Sequence, residues 1–159
     1  MIWRDLEAAA PEIALLGMER LHQTRLALLG TLRKDGSPRI SPVEPCLTQG
    51  HLLFGTMTWS AKRRDLSRDP RCVLHTVVSD PDSGEGELKL YGRALEVGEQ
   101  IRSGCRDAWW ATRPTEAAAV FSLDITHAAF VSWDTEHGRM TARRWSPKRG
   151  YVETTRDYP

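Results

Sequence analysis

The 159-residue sequence contains no apolar run long enough to cross a bilayer. Its first seventeen residues, MIWRDLEAAAPEIALLG, place Asp5, Glu7 and Pro11 where a secretory signal would need an unbroken apolar stretch. A cytoplasmic protein without a membrane partner is therefore expected. Charge of one sign is also missing: 22 Lys and Arg stand against 21 Asp and Glu, so no basic excess argues for a nucleic-acid partner. Cysteine is scarce. Cys46, Cys72 and Cys105 form no C-x-x-C pair, and three reduced thiols, at least two of them buried on strands, are the expectation. The five histidines (His22, His51, His75, His127, His137) lack metal-ligand spacing, so no metal site is expected. No G-x-S-x-G occurs, and spacing selects no Ser, His and Asp as a triad, which leaves catalytic residues unassigned. Repeats and low-complexity stretches are absent too.

What is present is apolar residues spread along the whole chain, enough for one core in a single domain. Residues 3 to 22 read as two helical pieces, because Pro11 interrupts one helix and suits the first turn of another. After Thr24 the period changes to two. Arg25 to Arg33, Pro38 to Pro45 and His51 to Thr56 read as strands joined at Asp35-Gly36 and Gln49-Gly50, an antiparallel meander. The prolines of PRISPVEP cannot donate to a ladder, so the second strand should be an edge with backbone groups left open. Met57 to Asp69 suggests a short helix with Ser60 as its N-cap. Strands follow at Cys72 to Ser79 and Glu87 to Val97, separated by an exposed loop from Asp80 to Gly86. Glu99 to Thr112 is then a helix with Ile101, Cys105, Ala108 and Trp109 on one side, and Phe121 to Trp133 with Gly138 to Trp145 form a last hairpin. The expected architecture is a mainly β split or closed barrel of six to seven antiparallel strands with peripheral helices. Residues 1–23 form its helical segment, 24–146 the barrel and 147–159 a polar, partly disordered tail.

The stretch richest in chemistry is TMTWSAKR, Thr56 to Arg63. A strand ends, and a helix opens with Lys62 and Arg63 in its first turn. Cations there oppose the helix dipole, whereas an anion at that end is favoured. A bound phosphate would reconcile the two, with the hydroxyls of Thr56 and Ser60 and the ammonium of Lys62 as donors. The plainer reading of the same pattern is a surface helix whose KRRDLSRD charges are solvated.

Arg39-Ile40-Ser41-Pro42-Val43, Leu53-Phe54-Gly55-Thr56, Ser60-Ala61-Lys62, Asp69-Pro70-Arg71 and Tyr91-Gly92-Arg93-Ala94 are together similar, in order and spacing, to the pyridoxamine 5'-phosphate oxidase-like family of FMN-binding split barrels. The resemblance covers residues 24 to 97. It implies a homodimer with FMN in the groove between subunits. Arg39, Thr56, Ser60 and Lys62 would hold the phosphate, with Ala61 at a position that is often a second basic residue. Backbone groups of Ile40, Ser41, Pro42 and Val43, and of Gly55, Thr56 and Met57, would line the isoalloxazine edge. Glu87 stands where the family has a partner-subunit Gln, and the C-terminal part lacks the arginine–histidine pattern that holds pyridoxal phosphate, so vitamin B6 oxidation is not implied. The expected activity is an oxidoreductase passing hydride or electrons between flavin and a small-molecule substrate. Two alternatives stay open: a deazaflavin coenzyme, whose acidic tail Arg63, Arg64 and Arg68 could meet, and a non-catalytic flavin- or haem-binding protein with His75 or His127 as a haem ligand. Trp109, Trp110 and Trp133 could pack over a flat cofactor, but aromatics at such spacing more often read as core or interface. The basic cluster around Trp145 reads either as a solvated rim or as a cover for a neighbour's groove.

Overall fold

A computed structural model describes residues 1–80 and 83–157. Pro81 and Asp82 of the expected Asp80–Gly86 loop, and the last two residues of the tail, lie outside them. The chain opens with helices α1 (Trp3–Ala9) and α2 (Pro11–Thr24), separated by Ala10, with Pro11 at the first helical position of α2. Strands β1 (Ala27–Leu32), β2 (Pro38–Val43), β3 (Pro45–Thr48) and β4 (His51–Met57) follow, then helix α3 (Ala61–Arg68). The remainder comprises β5 (Arg71–Thr76), β6 (Glu87–Glu96), the single-turn helix α4 (Glu99–Arg102), β7 (Ala118–Asp134), β8 (Arg139–Ser146) and β9 (Gly150–Asp157).

Every strand pair is antiparallel, in the order β2-β1-β5-β6-β7-β4-β3. The 17-residue β7 explains how the barrel splits. One of its edges pairs with β6 from Phe121 to Val131; the other carries β4 from Ala118 to Ser122 and β8 from Ala128 to Asp134. Alternation sorts the side chains. Ser41, Leu29, Leu74, Leu90, Ala128 and Trp145 form a row across six strands on the inner face. Leu29, Leu74 and Leu90 in that row are fully enclosed, each contributing about 1.5–3 kcal/mol by burial. Trp3, Leu6 and Ile13 of the helices join the same core, and Phe54 stacks on Phe121 with centroids 5.7 Å apart. Gly17 lets α2 lie close on β6, since a Cβ there would stand 2.9 Å from Leu88.

The β1–β2 turn forms as expected. Asp35 Oδ1 accepts from the Ser37 amide at 3.0 Å, and Gly36 supplies φ +83°. Gln49 and Gly50, both at positive φ, make the two-residue turn between β3 and β4. The meander itself does not form. Pro45–Thr48 is a strand of its own that pairs β4, and the β3–β4 hairpin joins β7 at the far end of the sheet from β2. Among the described residues, nine strands replace the expected six to seven.

Three further expectations are corrected. The helix over Glu99–Thr112 stops at Arg102, and the chain continues through turns. Arg102, 2% exposed, explains this: its guanidinium donates to the carbonyls of Ala118 at 3.2 Å, Trp110 at 2.6 Å and Arg113. Those bonds wrap the segment around a buried cation. The polar tail is ordered as β9, in register with β8 from Gly150 to Asp157. Finally, Cys46 and Cys105 form a disulfide across 59 positions, and Cys72 alone is a free thiol among the described residues. Spacing could not show that pairing, because the turn after α4 is what carries Cys105 to β3.

Candidate functional site

Helix α3 is set by its cap. Ser60 is extended, and its Oγ accepts from the Arg63 amide at 3.3 Å. The helix carries four cations (Lys62, Arg63, Arg64, Arg68) and one carboxylate, Asp65, which is 4% exposed. Asp65 docks the helix onto β1 and β2. It accepts from Arg39 Nε at 2.6 Å, Thr31 Oγ1 at 3.1 Å and Arg68 at 3.3 Å. Burial alone would raise the Asp65 carboxyl, but the bonds from Arg39, Thr31 and Arg68 outweigh it and hold the group below the ordinary carboxylate range. Sequence reasoning missed Asp65 by treating KRRDLSRD as solvated; a lone acid in a run of cations was the available signal.

Among the described residues strand β2 pairs only β1, so it is an edge, as its prolines require. Arg39, Ser41 and Val43 share the inner face, while Ile40 (69% exposed) and Pro42 point outward. Lys62 Nζ donates to the Pro42 carbonyl at 2.8 Å, so that carbonyl leaves the ladder. Antiparallel bonding alternates along a strand, which turns the N–H and C=O of Ile40 toward the same open edge. Burial lowers the Lys62 ammonium below the ordinary lysine value. The terminal nitrogens of Arg39 have no partner among the described residues, since only its Nε is bonded.

The other residues singled out from sequence are placed as follows. Gly55 lies under Trp110, whose Cγ would stand 2.2 Å from any Cβ added there. Thr56 is fully enclosed, and its Oγ1 has no hydrogen-bond partner; the structure does not bring that hydroxyl to the surface beside Ser60. Met57 is 41% exposed at the strand end. Ala61 lines a pocket of about 680 Å³ between α3 and the β1–β2 turn. Its walls hold Arg33, Lys34, Arg39, Arg64 and Arg68 against Asp35 and Asp65, a marked cationic excess that includes two of the three arginines expected to meet an acidic tail and adds Arg33, Lys34 and Arg39. Arg63 instead lies over the Phe121 ring at 5.4 Å and pairs with Glu96 at 2.9 Å. Glu87 is paired with Lys89 and with His75 Nε2 at 3.2 Å. His75 Nδ1 also lies 2.6 Å from the Thr76 carbonyl, and His127 meets Thr126. In the C-terminal basic cluster, Arg143 pairs with Glu12 and Glu153, and Trp145 packs on the core. No group of three or more His, Cys, Asp or Glu side chains able to hold a metal occurs among the described residues. None of their helices is long and apolar enough to cross a membrane.

An antiparallel split sheet with a short capped helix across its edge strand defines the class. The family model described as pyridoxamine 5'-phosphate oxidase matches residues 18–132, well over half the chain. The chain belongs to that pyridoxamine 5'-phosphate oxidase-like family, and its fold is the split barrel. No curated protein sequence matches it. Among solved structures, it is similar to PhzG from Burkholderia lata 383, crystallised with tetrahydrophenazine-1-carboxylic acid: TM-score 0.68 at 12% identity, covering 98% of this chain and 93% of that one. A pyridoxamine 5'-phosphate oxidase-related, FMN-binding protein from Nostoc punctiforme gives 0.68 at 12% identity over 93% and 96%. A heme-binding protein from Mycobacterium smegmatis gives 0.64 at 16% over 93% and 89%. At such identities these likenesses show the fold.

Proposed function

We propose that the chain is an FMN-binding oxidoreductase that works as a homodimer and passes hydride or electrons between flavin and a small molecule. The observation that carries this reading is the open edge of β2 lying against the cationic start of α3. The donor set suits a phosphorylated flavin. Arg39 has terminal nitrogens to spare, Lys62 stands over the strand edge, and the Ile40 backbone is free for a planar ring's polar rim. Bound FMN would supply the redox chemistry, and the protein's share is to bind, orient and tune it. In that division of work, Asp65 orients Arg39 and Ser60 fixes the helix start. Lys62 and Arg39 neutralise the phosphate.

The dimer is supported by what the sheet leaves uncovered. Ile40, Gly30, Val73, Tyr91 and His127 form one outer row across five strands, and Ile40, Leu28 and Tyr91 on that face are exposed. Glu87, on the same face, is already matched by Lys89 and His75; that pairing reduces the repulsion its carboxylate would bring to a phosphate. A second reading, a deazaflavin coenzyme with an anionic tail, is favoured by the cationic pocket of Arg33, Lys34, Arg39, Arg64 and Arg68. Parallel titrations with FMN and with a deazaflavin coenzyme, followed by fluorescence, test the assignment. Tighter, saturable FMN binding at one site per chain upholds it, and preference for the deazaflavin transfers the site to the second reading.

A further inference from the structure

A second cavity, of about 750 Å³, lies between the C-terminal end of α2, the start of β3 and the turn after α4. Its size suits a small organic ligand. The Cys46–Cys105 disulfide forms part of its wall, and around it stand Arg25, Arg106, Glu44 and Asp107. Glu44 is anchored by the Trp109 amide at 3.2 Å. The two sulfurs are unequal: Cys46 is half-buried on β3, while Cys105 is 4% exposed and packed with Leu53, Trp110 and Val120.

We propose that this cavity is a thiol-exchange site for a small peptide-like thiol bearing carboxylates and an ammonium group, of the glutathione type. The two arginines match the carboxylates, Glu44 and Asp107 match the ammonium, and the reactive bond forms the wall. The ligand thiolate attacks Cys46 Sγ, the S–S bond breaks, and its electron pair leaves on Cys105 Sγ, which takes a proton. A second thiolate then attacks the ligand sulfur of the mixed disulfide and releases Cys46. In sum, two ligand thiols become one disulfide, and the protein disulfide becomes two thiols. Cys72 takes no part: burial pushes its thiol up to about 12. Reduction also removes one of the ties on the segment held by Arg102, the segment whose Trp110 covers Gly55 of β4. The inference goes beyond the flavin reading and does not depend on it.

The test exposes the full-length chain to glutathione over a range of thiol-to-disulfide ratios, quenches in acid, and maps adducts by mass spectrometry. The expected result is a single glutathione on Cys46, followed by two free thiols at high ratio. An adduct on Cys105, or no reduction at any ratio, overturns the proposal. A paired variant, Arg25→Asn with Arg106→Gln, separates recognition from access; Asn suits position 25, whose φ is +55°. Reaction with glutathione should slow by at least about fivefold, as expected on losing steering cations, while 2-mercaptoethanol, whose thiolate is its only charge, should slow less. Equal slowing for both thiols, or for neither, overturns the recognition.

Discussion

Replacing Lys62 by Met probes the phosphate end of the candidate site with little damage to the fold. The ammonium is partly buried and donates to the Pro42 carbonyl at 2.8 Å. Met keeps the length of the stem, so packing over β2 is largely retained. Loss of that hydrogen bond costs about 0.5–1.5 kcal/mol, and no longer burying a charge offsets part of it. A charged hydrogen bond to phosphate is worth about 1.5–3 kcal/mol, or roughly a 10- to 150-fold weaker Kd for FMN. Riboflavin has the same ring without the phosphate, so its affinity should stay within about twofold. The assay is flavin fluorescence titrated at fixed salt, with both ligands against both proteins. Equal losses for FMN and riboflavin, or no loss for either, would refute the assignment of Lys62 to the phosphate. The same logic has a pH signature. Only the ammonium form attracts phosphate, and burial lowers its pKa, so the advantage of FMN over riboflavin should fade as pH rises toward, but before reaching, the ordinary lysine range.

Other perturbations follow from the same geometry. Gly55→Ala would drive a methyl into Trp110 and should destabilise the chain by about 1–3 kcal/mol, read by denaturant unfolding. Arg102→Met leaves three carbonyls without their donor; a loss of about 1.5–3 kcal/mol should come with early proteolytic cleavage between 103 and 117. Asp65 has a depressed native pKa, so its contribution is fully present above the unfolded value of about 3.9 and is lost as pH falls through the native one. Asp65→Asn should therefore be less stable near neutral pH and show a shallower acid-side slope; an unchanged slope contradicts the role given to the Arg39–Asp65 pair.

The parts of this fold that were legible in the sequence are those fixed locally. Asp35-Gly36 and Gln49-Gly50 announce turns, Pro11 marks a helix start, Ser60 caps α3, and Pro38 and Pro42 force an edge strand. Long-range pairing was not legible. Nothing in His51–Met57 says that it joins β7 instead of β2. Strand β9 gave no alternation because all eight of its residues are exposed, so neither face needed apolar side chains. The segment after α4 has helical spacing, yet one buried arginine reorganises it. At the candidate site, the residues of β2 and the start of α3 could be read from motifs. The buried Asp65 that orients Arg39, and the enclosure of Thr56, depend on how α3 lies across the sheet.

The central claim is tested most directly by a visible absorption spectrum of freshly purified protein, repeated after incubation with FMN and gel filtration. The account predicts flavin bands that travel with the protein at one flavin per chain, in a species of dimeric mass. A protein that emerges colourless after saturation with FMN, or that carries a Soret band instead, would contradict it.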